Sequence, residues 1–293
     1  QDVRTAVAPP VDLAIDTVNG AVPLAGEWEY RAEGLVAGEA PAAPMGPGNP
    51  WLPTSLSSGM IAPIEDLNVG GAIWYQGESN AGRAAQYKEL MNALVADWRE
   101  RFRDKELPFI QTLLANFMPR KSEPSESGWA ELREAQDHAY RTIPRFGQVS
   151  AMDIGDADDI HPRNKREVGR RMAILALSFF FDRKDDEAES PWAVRIRPFG
   201  STAIVDFASA KTLTTTDGAR PKGFAVRAKN GPWLWAEARI VNRTVELTHP
   251  KGEVIEAVRY GWADNPELNL TNGAGLPAFP FRAEGELGNL KIG

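Results

Sequence analysis

The chain has 293 residues, 43% hydrophobic and 25% charged, which suits a globular protein with a sizeable core and room for two domains. A net charge of -7, from 40 acidic and 33 basic residues, with the few basic runs set among acids, argues against a nucleic-acid partner. There is no cysteine, hence no disulfide framework, thiolate chemistry or zinc–cysteine site, and the longest apolar run, near 172–181, is too short to cross a membrane.

Residues 1–54 are rich in Ala, Pro and Gly. Within them Leu24 to Tyr30 alternates like a strand, and Pro41 to Pro53 reads as linker. Residues 55–182 alternate strand and helix patterns. Strands are predicted over Val69–Gln76, Leu107–Leu114 and Gly147–Ile154, and helices over Arg83–Phe102, Gly128–Ile143 and Asn164–Phe181. In the first helix Tyr87, Leu90, Met91, Leu94, Val95, Trp98 and Phe102 recur at helical spacing, and Pro108 starts the next strand. This rhythm predicts an α/β fold, a parallel sheet with helices on both faces. Asp182 to Ser190 reads as a charged linker. Residues 191–293 show short alternating runs such as Ala193–Arg197, Ala203–Phe207 and Arg239–Val241, separated by turn residues, which predicts a β-rich, sandwich-like domain.

One stretch concentrates polar groups where such sheets bind ligands. The apolar run Gly70 to Tyr75 ends in Gln76-Gly77-Glu78-Ser79-Asn80, at the carboxyl end of the first strand of the α/β part. Gln76 and nearby N–H groups could stabilise an oxyanion, or the cluster could be a strand-to-helix turn capped by Asn80. His161 follows a later strand end in a loop crowded with acids. It could act as a general base oriented by Asp158, with Asp156 and Asp159 as rivals, or be an exposed loop histidine. His138 reads as a surface or packing residue of its helix, and His249 as a turn residue. Arg133 and Gln136 are one helical turn apart and could face the same site. No Gly-x-Ser-x-Gly elbow occurs, and neither Ser55, Ser57 and Ser58 nor Ser79 has the strand-then-serine-then-helix setting of an exposed nucleophile.

Together these motifs resemble the sialate O-acetylesterase family, carbohydrate esterases of the SGNH-hydrolase type. The likeness runs through Leu24-Ala25-Gly26-Glu27-Trp28, Gly59 to Pro63, Trp74 to Ala81, Asp97-Trp98-Arg99, Leu132 to Gln136, Ile160 to Lys165, and Val258 to Pro266. The resemblance implies a flavodoxin-like three-layer sheet and hydrolysis of acetyl esters on sugars by serine–histidine chemistry, without metal or other cofactor. It implies His161 as the catalytic histidine and Gln76 with Gly77 on the oxyanion side. It implies that Glu78, Asn80, Arg133 and Gln136 shape the site. The Asp-x-x-His spacing selects Asp158 as the orienting acid, although members of the family also use a serine–histidine pair or a carbonyl in that role. The family nucleophile lies in a Ser-Ser-Trp-Gly-Gly-Thr type of block after a first strand, and nothing before Leu24 matches it. The chain is therefore expected to be the C-terminal portion of a longer enzyme. Its nucleophile would come from an N-terminal portion or a second chain, and its setting would be periplasmic or extracellular. Two other readings stay open: a non-catalytic relative that binds sugar through exposed aromatics such as Trp233 and Trp235, and a metal-dependent hydrolase using Asp153, Asp156, Asp158 and His161.

Overall fold

The computed structural model describes residues 52–181, 187–285 and 287–290, and the backbone of four strands nearer the N-terminus. Those four are β1 (Val3–Ala8), β2 (Ala14–Thr17), β3 (Gly20–Pro23) and β4 (Gly26–Arg31). Strand β1 pairs antiparallel with β4, and β2 with β3. The strand expected over Leu24–Tyr30 corresponds to β4. The linker stretch expected over Pro41 to Pro53 lies almost wholly outside the described residues, as does 182–186 of the second linker. Two compact units result, 1–59 and 60–293.

The larger unit begins with a parallel sheet. Its strands are β5 (Ala72–Trp74), β6 (Phe109–Thr112) and β7 (Phe146–Val149), in that order across the sheet. Ala72 stands opposite Phe109, and Phe109 opposite Phe146. Helices α1 (Ala84–Arg101), α2 (Gly128–Thr142) and α3 (Lys165–Phe181) fill the connections. Each lies within two residues of its predicted span. Tyr87, Met91 and Val95 of α1 and Leu132, Ala135 and Ala139 of α2 pack with Phe109 and Phe146 on one face. Val168, Met172 and Leu175 of α3 pack with Ile110 and Val149 on the other. Period-2 alternation in the strands and period-3.6 stripes on the helices thus generate the three layers. Gly147 lets α3 approach: a Cβ there would lie 2.9 Å from Leu175 Cδ2 and from Phe179 Cε2.

Strand β5 is the edge. Among the described residues it pairs only with β6, and its central side chain, Ile73, is 72% exposed.

The rest of the unit is antiparallel, with ten strands among the described residues: β8 (Trp192–Phe199), β9 (Thr202–Ala208), β10 (Leu213–Thr215), β11 (Phe224–Arg227), β12 (Leu234–Trp235), β13 (Glu237–Val241), β14 (Thr244–Thr248), β15 (Ala257–Tyr260), β16 (Leu270–Asn272) and β17 (Phe281–Glu284). They make one sheet in the order β13-β14-β9-β8, another in the order β12-β11-β15-β17, and the pair β10-β16. Ile196, Val205 and Leu247 from the first sheet share a core with Phe224, Val258 and Phe281 from the second, the interior of a sandwich. Strand β9 shows the expected alternation, running exposed, buried, half-buried, buried, whereas β15 and β16 are buried along their whole length.

Candidate active site

The polar cluster after β5 is held from behind. Tyr87 Oη donates to the Gln76 carbonyl at 3.2 Å, and Gln136 Nε2 donates to the same oxygen at 3.2 Å. Trp74 Nε1 donates to Tyr87 Oη at 3.3 Å. Burial raises the Tyr87 phenol above its ordinary pKa, so it stays a neutral donor. Gln136 also accepts from the Leu114 N–H at 3.1 Å, tying α2 to the chain leaving β6. The Gln76 side chain gives one amide hydrogen to Asn80 Oδ1 at 2.9 Å, which leaves its second hydrogen for another acceptor. Gly77 has φ of 149°, and a Cβ there would meet Leu132 Cδ2 at 2.9 Å, so glycine is required by both conformation and space. Asn80 N–H then donates to the Gly77 carbonyl and starts a short 3-10 turn over Glu78–Arg83.

Arg133 is wholly buried and carries more of the architecture than any other side chain near the site. Its guanidinium donates to the carbonyls of Leu114 (2.8 Å), Ala115 (2.8 Å), Ala263 (2.7 Å) and Asp264 (3.1 Å). Burial pushes its pKa down to about 9, while the nearby Asp264 carboxylate and Tyr75 pull the other way. It remains a cation at neutral pH, and it rivets the parallel sheet to the turn after β15. Arg133 and Gln136 are both 0% exposed, so neither is a solvated residue of the helix surface.

His161 stands on the loop after β7, and its side chain is 89% exposed. Its backbone N–H donates to Asp159 Oδ1 at 2.8 Å, and its Nδ1 lies 3.8 Å from that same oxygen. Asp159 is thus the carboxylate beside the imidazole. The Asp158 N–H donates to Asp156 Oδ1 at 3.0 Å, and among the described residues no hydrogen bond or ion pair joins Asp158 to His161. The loop is anchored at its start by Arg171 of α3, which binds Asp153 through both guanidinium nitrogens at 2.6 and 2.7 Å. It is anchored in its middle by Asn116, whose Oδ1 accepts from the Gly155 N–H at 2.6 Å.

A cleft of about 440 Å³ opens at the carboxyl ends of β5 and β7, lined by Tyr75, Glu78, Ser79, Ile160, His161, Pro162 and Lys165. It brings together Glu78 and His161 from the predicted set, with Ser79 beside them. Gln76, Gly77, Asn80, Arg133 and Gln136 stand outside the lining, and their hydrogen bonds and close packing build the wall behind it. Two lining residues, Tyr75 and Lys165, fall within the family-like motifs but carry no assigned role there. Tyr75 ends the apolar run, its phenol pushed up to about 12 by burial and then by Glu78. Lys165 Nζ lies 4.5 Å from the centroid of the Tyr75 ring, a cation–π contact across the cleft. Among the described residues no group of three or more His, Asp or Glu side chains converges in the manner of a metal site.

The candidate site is that of an α/β protein with strand-end loops converging on a histidine. A family model described as carbohydrate esterase, sialic acid-specific acetylesterase, matches residues 54–178 of the chain. Sialate O-acetylesterase of Rattus norvegicus is 30% identical over 258 residues, covering 78% of this chain and 46% of the relative. The Homo sapiens enzyme of the same name is 27% identical over 256 residues, covering 78% and 48%. The crystal structure of a carbohydrate acetylesterase from Xanthomonas citri superposes with a TM-score of 0.72 at 36% identity, covering 77% of this chain and 52% of that one. The chain spans about half the length of the curated relatives it matches.

Proposed function

We propose that this chain is, or is part of, a carbohydrate O-acetylesterase acting on O-acetylated sugars in an extracytoplasmic setting. In this reading 55–182 supplies the catalytic half, 191–293 a β-rich companion, and 1–54 the remainder of an insertion. The observation that carries the reading is the cleft that sets the end of β5 against His161, in a stretch matched by an acetylesterase family. A serine Oγ attacks the acetyl carbonyl carbon while His161 accepts the hydroxyl proton. Amide hydrogens around Gln76 and Gly77 steady the oxyanion. The imidazolium returns its proton to the departing sugar oxygen, and water, activated by His161, then releases acetate and frees the serine. Asp159 or Asp158 orients the imidazole.

The nucleophile in this proposal is a serine outside the described residues, on a strand that pairs with the free edge of β5. Two observations support it: the edge has no partner among the described residues, and no described hydroxyl is bonded to the His161 imidazole. Release of acetate from O-acetylated sialic acid and acetylated xylan, measured on the longest protein containing these residues, tests the function. His161→Ala should lower kcat about 10²–10⁴-fold, the range for losing a positioned base; an unchanged rate would remove His161 from the mechanism. The same assay on residues 1–293 alone, with serine-directed phosphonate labelling, tests the nucleophile. Turnover and labelling abolished by Ser79→Ala would overturn the external serine and place the nucleophile in the cleft.

The non-catalytic reading has one observation in its favour, the same absence of a described hydroxyl at His161. Failure of the longer protein to release acetate from either substrate would establish it.

A further inference from the structure

A second cavity, of about 420 Å³, shares no lining residue with the His161 cleft. It lies between the chain that leaves β6, around 120–123, and the edge of the sheet carrying β11 and β12. Its volume falls in the range of small-molecule sites. The aromatic wall is Trp235, 38% exposed. Its indole N–H donates to the Ser122 carbonyl at 2.7 Å, which fixes the ring and spends its one polar group. What remains open is an apolar surface of fixed orientation. Trp233, two residues earlier, offers no such surface, because the guanidiniums of Arg259 and Arg227 lie 4.2 and 4.7 Å from its ring centroid.

The rim mixes charges of both signs. Arg120, Lys121 and Lys222 stand with Glu123 and Glu267. Lys222 is paired with Glu267 at 2.8 Å and is 3.7 Å from Asp217, and Lys121 lies 3.8 Å from Asp264. The cations are thus largely matched, so the cavity has little spare field for an anion. A purely apolar ligand would strip water from several charged groups without replacing their hydrogen bonds. A ligand with C–H faces and a rim of hydroxyls, each both donor and acceptor, satisfies both features: the faces lie on Trp235 and the hydroxyls bridge carboxylates and cations.

The cavity is also wired to the catalytic loop. Asn265 in its wall accepts from Asn116 Nδ2 at 2.9 Å and donates to the Met118 carbonyl at 2.8 Å. Asn116 in turn receives the Gly155 N–H, and the Met118 N–H donates to the Ala157 carbonyl at 3.0 Å. Two hydrogen bonds separate the wall of the cavity from the loop that carries His161.

We propose that the Trp235 cavity is an accessory subsite for an uncharged sugar ring, holding a neutral unit of a glycan longer than one residue. The proposal rests on the esterase reading for the glycan's role, but the binding stands on the cavity alone. Titration of the whole chain with xylopentaose, followed by calorimetry and by the indole N–H resonances in NMR, tests it without any chemistry. The Trp235 indole signal, assigned by its loss in Trp235→Phe, should move saturably. Trp235→Ala should weaken binding about tenfold or more, the scale for removing an aromatic anchor. His161→Ala should bind as the parent does. Should Trp235→Ala fail to fold, the indole shift in the parent and retained binding in Trp235→Phe decide the matter. An unmoved Trp235 signal at saturating sugar, binding unaltered in Trp235→Ala, or binding of oligogalacturonate in place of xylopentaose would each overturn the proposal. Sugar binding without acetate release would remove the esterase reading and leave the subsite; acetate release without sugar binding would do the reverse.

Discussion

Gly155→Ala is the sharpest test of how the His161 loop is held. A Cβ at 155 would lie 2.1 Å from the Asn116 carbonyl oxygen, 2.5 Å from its Oδ1 and 2.8 Å from its backbone nitrogen. Two of these three atoms are backbone and cannot rotate aside. The loop must therefore lift from the chain leaving β6. Lifting breaks the bond from the Gly155 N–H to Asn116 Oδ1 and disturbs the one from Asn116 Nδ2 to Asn265. Overpacking costs about 1–3 kcal/mol and each lost hydrogen bond about 1 kcal/mol, together about 3–5 kcal/mol. With a urea m-value of about 3 kcal/mol/M for a unit of this size, the midpoint should fall by about 1–1.7 M. Tryptophan fluorescence during urea unfolding measures it. Gly169→Ala is the matched control. That glycine is inside α3, and an added methyl would meet no atom within 4 Å. The change should add about 1 kcal/mol through helix propensity and raise the midpoint by about 0.3 M. If Gly155→Ala unfolds at the parent midpoint, the close approach of the two loops is not as described.

Three further outcomes follow from particular contacts. The Glu167 carboxylate sits near a pKa of about 2, held first by its hydrogen bonds from Arg170 and also by Arg171. A depressed carboxylate contributes stability above its ordinary pKa and loses it as pH falls toward the folded value. Urea midpoints measured from pH 5 to 2 should therefore decline less steeply in Glu167→Gln than in the parent; parallel slopes would show that the cluster adds nothing. Arg133→Met should leave the carbonyls of Leu114 and Ala263 without this donor, whereas Ala115 keeps the Trp129 indole N–H at 2.8 Å and Asp264 keeps the Phe117 N–H at 3.3 Å. At about 1 kcal/mol or more for each orphaned group, the loss should reach about 2 kcal/mol and appear as a lowered Tm; an unchanged melt would contradict the rivet. Ile73→Lys, at a 72% exposed edge position, should change stability by less than about 0.5 kcal/mol yet reduce self-association in sedimentation velocity.

The fold of the α/β part was legible because its signals are local. Of the seven apolar residues from Tyr87 to Phe102, Tyr87, Met91 and Val95 are buried along one face of α1 and Leu94, Trp98 and Phe102 pack beside them, while Leu90 is exposed. The strands were drawn too long, however. Val69–Gln76 shrinks to Ala72–Trp74, because pairing in the parallel sheet, not apolar content, sets strand ends. The site was legible only by halves. His161 and Glu78 announce themselves as polar residues at strand ends. Lys165 does not, because its contact with Tyr75 joins residues 90 positions apart in sequence. Nor does the nearness of Asp159 to His161, since the spacing points to Asp158 and the turn of the loop sets Asp159 Oδ1 3.8 Å from the imidazole. His249 reads as a turn residue and is one: it is buried, and its Nδ1 accepts the N–H groups of Lys251 at 3.2 Å and Glu253 at 3.3 Å. Arg133 was the largest surprise. A charge on a helix is ordinarily solvated, and nothing local reveals that the segment 263–264, some 130 positions away, comes back to cover it.

That enclosed guanidinium limits how the gene can be cut and rejoined. The charged stretch near 182–190 looks like a natural junction for exchanging or deleting the β-rich half. Cutting there would remove two of the four carbonyls that surround Arg133 and open its buried guanidinium to solvent. The halves are therefore not interchangeable cassettes. A viable chimera, permutant or minimal version has to inherit the turn at 263–265 together with α2, or replace both at once.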